Sequence, residues 1–227
     1  MHIGIIGAMD EEIELIKQRV EGLTEDQYLG YTFYNGVYGP HTVSLVKSGI
    51  GKVNASIVTT LLLSHYPVDF VVNTGTAGAI SGDLEIGDVV IGSEVTFHDV
   101  DVTAFGYEQG QMAGMPILYR SQDELINLAE ASIRNNQVYK GLIVTGDEFV
   151  SNLERIKEIQ HNYPLALVCE MESAAIAQTA YAFDIPCLII RSVSDTADDD
   201  ASIDFDEFVH LASSQSADFL LKFIESI

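Results

Sequence analysis

Short apolar runs alternate along the chain with stretches whose apolar residues recur at helical spacing. Ile3–Gly7 reads as a buried strand, and the stretch from Met9 to Val20 as a helix with Ile13, Ile16 and Val20 on one face. Tyr31–Val37 and Thr42–Lys47 predict two strands joined by a turn through Gly39-Pro40. A helix over Lys52–Leu63 then leads to a buried strand, Phe70–Thr74. Asp88–Gly92 and Leu142–Thr145 are further strands, with a helix at Asp123–Asn135 between them. Helices at Glu154–His161 and Glu172–Ala182 alternate with strands at Leu165–Cys169 and Cys187–Ile190. A long helix over Phe205–Ile224 closes the chain, with acids in its first turn as the helix dipole favours. Buried runs alternating with helices predict an α/β protein, one domain with a central mixed β-sheet flanked by helices.

One segment resists this pattern. From Val100 to Tyr119 the chain carries Val102, Phe105, Tyr107, Met112, Met115 and Tyr119 among glycines, with neither strand nor helix period. Apolar side chains in so long a loop need a cover, either the protein's own core or a second subunit.

Composition narrows the partners. The chain has 227 residues, 47 % hydrophobic and 20 % charged, enough for a substantial core. Its net charge of −23 disfavours nucleic acid and an anionic membrane surface, since both need clustered Lys and Arg. No apolar run reaches the roughly 18 residues of a membrane span, and no basic, apolar leader opens the chain, so a cytoplasmic location is expected. Cys169 and Cys187 each sit in an apolar run, which favours buried thiols over a disulfide.

Several familiar chemistries lack their motifs. Gly4-Ile5-Ile6-Gly7 has the wrong glycine spacing for a dinucleotide fingerprint, and no Walker sequence occurs. The histidines show no metal spacing and no nucleophile elbow is present, so neither metal nor organic cofactor is expected. Gly49-Ile50-Gly51 and Gly75-Thr76-Ala77-Gly78 follow apolar strands, as tight turns or as places where backbone N–H groups meet a ligand. Glu12, the Glu170-Met171-Glu172 run and Asp195 all lie where a buried strand is left behind, the edge where α/β sites form. Each has a plainer reading, as a first-turn helix acid or, for Asp195, as part of an acidic loop running through Asp198-Asp199-Asp200.

Taken together, six motifs resolve these alternatives. Gly4 to Glu12 (GIIGAMDEE), Lys47 to Val53 (KSGIGKV), Asn73 to Gly78 (NTGTAG), His98 to Tyr107 (HDVDVTAFGY), Glu170 to Glu172 (EME) and Arg191 to Asp195 (RSVSD) closely resemble the bacterial 5′-methylthioadenosine/S-adenosylhomocysteine nucleosidase family. The resemblance runs in order over nearly the whole chain and implies a nucleoside phosphorylase-like fold. It implies hydrolysis of the N9–C1′ bond of 5′-thio-substituted adenosines, extending to 5′-deoxyadenosine, in methionine salvage and S-adenosylhomocysteine recycling. By that likeness Asp195 is the general acid at adenine N7 and Glu12 the base that activates water. Glu172 accepts from the ribose hydroxyls, with Met171 against the sugar; Phe149 and the backbone of Val150 line the adenine pocket beside Thr76, Ala77 and Gly78. Met9, Ile50 and Phe205 surround the ribose and 5′ group, and Arg191 and Ser194 complete the substrate-binding set. Family members are homodimers in which the segment matching Val102, Phe105 and Tyr107 closes the neighbour's pocket, which tips the apolar loop towards an interface. Serine is usual in the family where Thr76 stands, glycine where Ala79 stands and proline where Ala113 stands.

The residue types suit that reaction. Departing adenine needs a proton and the sugar becomes cationic, so an acid at the base and carboxylates at the ribose fit it. An ordinary Asp titrates near about 3.9, so Asp195 requires an environment that holds its proton at neutral pH. Phosphorolysis, the rival reaction, needs fixed cations for phosphate. The five arginines are Arg19, Arg120, Arg134, Arg155 and Arg191, and only the last lies among the motifs. The related phosphorylases place an arginine where Asn73 stands. A nucleoside-binding module without turnover would need the pocket but not the Glu12 and Asp195 pair.

Overall fold

A computed structural model describes residues 1–132, 138–196 and 201–227. Ten strands, β1 (His2–Gly7), β2 (Glu21–Tyr28), β3 (Tyr31–Tyr38), β4 (His41–Lys47), β5 (Phe70–Ala79), β6 (Val89–Phe97), β7 (Tyr119–Arg120), β8 (Val138–Thr145), β9 (Ala166–Glu170) and β10 (Cys187–Asp195), form one mixed sheet. Its order is β10-β6-β8-β9-β5-β1-β4-β3-β2, and β10 also pairs with β5. The strands from β10 round to β5 therefore close into a barrel, and β1-β4-β3-β2 extend from it as a wing.

Helices cover the sheet because its central strands are apolar on both faces. α2 (Lys52–His65) and α5 (Ser173–Ala182) bury Val58, Leu62, Ala174 and Ile176 on one side. α1 (Asp10–Arg19), α3 (Asp123–Ala131) and α6 (Ala201–Glu225) bury Ile13, Ile16, Leu125, Phe219 and Phe223 on the other. α4 (Leu153–Asn162) packs Ile156 and Ile159 against Val144 and Ala166. The glycines of the first motif serve this packing: a side chain at Gly4 would meet Leu62 Cδ2 at 2.8 Å, and one at Gly7 would meet Ile13 Cγ2 at 2.7 Å.

Several elements depart from the sequence expectation. β2 was not expected, because its solvent-facing residues show no alternation. β5 and β10 run several residues past their apolar cores, so Gly75-Thr76-Ala77-Gly78 is strand and not turn: Gly75 to Gly78 pair with β10, where Asp195 lies opposite Gly78. Barrel closure supplies those partners, and small residues allow the close approach it needs. α6 begins at Ala201, before Phe205. The expected end of the third helix at Asn135, Arg134 and the acids Asp198 to Asp200 lie outside the described residues. Among the described residues no helix is long and apolar enough to cross a membrane. The Val100–Tyr119 segment divides: Val100 and Tyr119 are buried, while Phe105, in a short 3-10 turn at Thr103–Phe105, is 81 % exposed.

Candidate active site

The ends of β1, β4, β5, β8, β9 and β10 converge on one cleft, the place where open α/β sheets bind ligands. Its walls are Ala8, Met9 and Glu12 after β1, Ile50 after β4, and Thr76, Ala77 and Gly78 within β5. Glu148, Phe149 and Val150 follow β8; Cys169, Glu170, Met171 and Glu172 come from the end of β9, Ser194 and Asp195 from β10, and Phe205 from α6.

Glu12 stands in the first turn of α1, yet its side chain is turned inward and only 2 % exposed. Its Oε2 accepts from the N–H groups of Ala8 (2.6 Å) and Met9 (3.1 Å), and its Oε1 from the Thr76 N–H (2.9 Å) and hydroxyl (3.2 Å). Glu12 satisfies N-terminal donors as a first-turn acid does, and it also faces the cleft. The Thr76 hydroxyl makes the contact its type allows, its extra methyl notwithstanding.

Behind Glu12 lies a buried guanidinium. Arg191 Nη2 meets Glu170 Oε2 at 2.5 Å and Asn73 Oδ1 at 2.6 Å, Nη1 donates to the Thr76 carbonyl at 3.3 Å, and Glu172 Oε2 lies at 3.5 Å. Gly75 makes this possible, because a Cβ there would sit 2.3 Å from Arg191 Nη1 and 2.6 Å from Glu12 Oε1. Glu170 also accepts from the N–H groups of Glu172 (2.9 Å) and Ser173 (2.8 Å) and from the Thr145 hydroxyl, so it anchors the start of α5. Glu172 stands at the N-cap position of α5, and its Oε1 accepts from the Gly51 N–H at 2.9 Å instead of capping that helix. Glu170 and Glu172 therefore share one guanidinium away from water. Burial pushes the Glu172 carboxyl up, to about 8, against the pull of Arg191 and with help from Glu170 and Glu12.

The other end of the cleft is more open. Asp195 is 2 % exposed and its Oδ2 accepts from the Ser194 hydroxyl at 2.8 Å. Phe149 is 44 % exposed and meets Phe205 edge-on at 5.7 Å between ring centres. Burial raises the Cys169 thiol far above its ordinary range, which keeps it protonated in the wall.

Most of the expected site residues are brought together here. Met9, Glu12, Ile50, Thr76, Ala77, Gly78, Phe149, Val150, Met171, Glu172, Ser194, Asp195 and Phe205 all line the cleft. Arg191 does not; it is 1 % exposed and supports the wall from behind. Val102, Phe105 and Tyr107 do not line it either. Ala8, Glu148, Cys169 and Glu170 line it without having been assigned a role. Ala8 and Glu170 stood inside quoted motifs, whereas Glu148 is one acid among 34 and carries no pattern. Among the described residues no group of three or more His, Cys, Asp or Glu is arranged to hold a metal ion.

Known proteins share this arrangement over its full length. A family model described as the phosphorylase superfamily matches residues 2–225. The chain is 45 % identical over 227 residues to a 5′-methylthioadenosine/S-adenosylhomocysteine nucleosidase of Staphylococcus carnosus, covering 99 % of this chain and 100 % of that one. The nucleosidase of that name from Streptococcus pneumoniae, solved with a transition-state inhibitor, superposes with a TM-score of 0.97 at 42 % identity, over 100 % of this chain and 99 % of that one. Futalosine hydrolase from Helicobacter pylori superposes at 0.96 with 32 % identity, over 100 % and 98 % of the two chains. The nucleoside phosphorylase fold implied by the resemblance is the fold found. Because these likenesses span the whole length and not a single motif, the chain belongs to the 5′-methylthioadenosine/S-adenosylhomocysteine nucleosidases of the phosphorylase superfamily.

Proposed function

We propose that this cleft hydrolyses the N9–C1′ bond of 5′-methylthioadenosine and S-adenosylhomocysteine, and of 5′-deoxyadenosine, releasing adenine and the corresponding ribose. The observation that carries the reading is that buried acids line one cleft at both of its ends, Glu12 beside Glu170 and Glu172 at one and Asp195 at the other. Asp195 gives a proton to adenine N7 as the bond to C1′ breaks, and Glu12 takes one from the water that adds to C1′. Glu172 accepts from the ribose hydroxyls, and Met171, Met9, Ile50 and Phe205 pack around the sugar and its 5′ group. Phe149 and the Val150 backbone hold the base beside Thr76, Ala77, Gly78 and Ser194, while Arg191 keeps the ribose carboxylates in place.

Water suits this site better than phosphate. Asn73, fully buried, spends its amide on the Ile6 carbonyl at 2.9 Å and its oxygen on Arg191. Arg191 itself is already matched by Glu170 and Glu172. An incoming phosphate would meet carboxylates and no free guanidinium nearby, which is a costly encounter in a buried site.

The working form is a cytoplasmic homodimer. Val53, Phe105 and Met112 are 68 %, 81 % and 40 % exposed, an apolar surface that a second subunit would cover. In that dimer Val102, Phe105 and Tyr107 close the partner's cleft over the 5′ substituent.

The test is adenine release from 5′-methylthioadenosine in phosphate-free buffer, repeated with phosphate. Release without phosphate, giving free methylthioribose, is the expected result. Release only with phosphate, giving a sugar 1-phosphate, would make the protein a phosphorylase. Binding with no release in either buffer would leave a nucleoside-binding module.

A further inference from the structure

The motifs KSGIGKV and HDVDVTAFGY each contain a charge that the proposed chemistry does not use, Lys52 and Asp99. The fold brings them together. Lys52 Nζ donates to both oxygens of Asp99, at 2.7 and 2.6 Å, and lies 3.8 Å from Asp147 Oδ2. The backbone completes a ring: the Lys52 N–H donates to Asp147 Oδ1 at 2.8 Å, and the Asp147 N–H donates to Asp99 Oδ2 at 2.9 Å. Lys52 also lies over the Phe97 ring, 5.4 Å from its centre. Its side chain is 21 % exposed and that of Asp99 22 %, so water screens the pair only in part.

Two members of the ring, Asp147 and Lys52, are each one residue from the cleft or from a group that holds it. Asp147 directly precedes the wall segment Glu148–Val150. Lys52 directly follows Gly51, whose N–H holds Glu172 Oε1, and Gly51 follows Ile50 in the wall. Gly51 has a left-handed φ of 96°, and a Cβ there would stand 3.1 Å from Asp147 Oδ1. The base-side loop and the ribose carboxylate come from distant parts of the chain. The two are already joined at their bases, where β8 pairs with β9 and the Gly146 N–H donates to the Glu170 carbonyl at 3.0 Å; the ring adds a second tie, through Gly51, beyond that pairing.

We propose that Lys52 and Asp99 are positioning residues for the nucleosidase reaction, an ion pair that holds the base-side loop 147–150 in register with Glu172. The inference rests on the proposed function, and a substrate that spans both halves of the cleft depends on the register while free adenine does not.

The experiment compares Lys52→Met, Asp99→Asn, the double variant and Lys52→Arg with the native chain. kcat and KM for 5′-methylthioadenosine, the affinity for adenine by calorimetry, and Tm are measured for each. In Lys52→Met and Asp99→Asn we expect kcat/KM to fall at least 20-fold while adenine affinity changes less than threefold. The double variant should be no more than twofold worse than the poorer single one, and Lys52→Arg should recover to within threefold of native. A Lys52→Met variant within threefold of native in kcat/KM, equal losses for adenine and methylthioadenosine, or additive losses in the double variant would overturn the proposal. Asp99→Asn keeps an acceptor for the Asp147 N–H, so it serves as the test should Lys52→Met fail to fold. If the native chain itself releases no adenine, the proposed reaction falls, and the register is judged from the same ratio of methylthioadenosine to adenine affinities.

Discussion

At one end of the cleft, Glu12, Glu170 and Glu172 take backbone N–H groups from Ala8, Met9, Gly51, Thr76 and Ser173, and the last two carboxyls share one buried guanidinium. At the other end, Phe149 is nearly half exposed and touches Phe205 across the mouth. The first end is built from strand termini and helix starts, where fixed dipoles hold charge without rearrangement. The second is built from a loop and a helix that meet through the Phe149 and Phe205 rings. The difference divides the work: the enclosed end fixes where charge sits, and the open end admits and grips the base.

The sharpest way to break this contrast is at Asp195, at the end of β10 on the more open side of the cleft. Asp195→Asn keeps the shape and removes the acid, so adenine release should slow by about 10²–10⁴-fold with Tm little changed. Near-native turnover would sink the assignment. Next comes Arg191→Met, which leaves the buried Glu170 without its 2.5 Å guanidinium partner and should cost about 3–5 kcal/mol in urea unfolding. A loss under about 1 kcal/mol would mean the enclosed end is not held by its charges.

A pH series sharpens the same point. The Glu172 carboxyl rises from an ordinary 4.5 to about 8 in the folded protein, mainly through burial. Its protonated form is therefore favoured on folding: that contribution is complete below pH 4.5 and is lost as pH rises through about 8. Burial lowers His98 and His2 from 6.5, so their contributions have the opposite sign and are complete by neutral pH. Between pH 7 and 8.5 stability should thus fall, by at most about 1.4 kcal/mol per pH unit, and Glu172→Gln should flatten the slope. Smallest of all, Phe149→Leu at the open end should raise KM about three- to tenfold through loss of an aromatic contact worth about 0.5–1.5 kcal/mol. Its Tm should stay within about 2 °C of native, as a half-exposed ring allows.

What the sequence made legible follows the same physical divide. Wherever burial on both faces writes a continuous apolar run, as in β1, β5 and β10, the strand was readable. β2 was not, because it pairs through its backbone with β3 and buries almost nothing. Gly75 to Gly78 looked like a turn because small residues mark turns in sequence, whereas here they let Arg191 and Glu12 press against a strand. Glu12, Glu172 and Asp195 were readable as carboxylates at strand ends and acquired roles only through the six motifs. Glu148 was not readable, since nothing in its neighbours distinguishes it from other surface acids. Arg191 was expected at the substrate and sits behind it, a distinction that depends on the side-chain direction of a residue buried on both faces.

β5 belongs to the wing and to the barrel at once: Phe70 pairs with β1, Asn73 with both β1 and β10, and Gly78 with both β10 and β9. Every one of its residues is buried. Its amides should accordingly exchange with solvent only when the whole chain opens, while those of β2 exchange through local fraying. Because Thr76, Ala77 and Gly78 lie on that strand, that wall of the cleft should persist until the whole chain unfolds, whatever the loop 147–150 does before then.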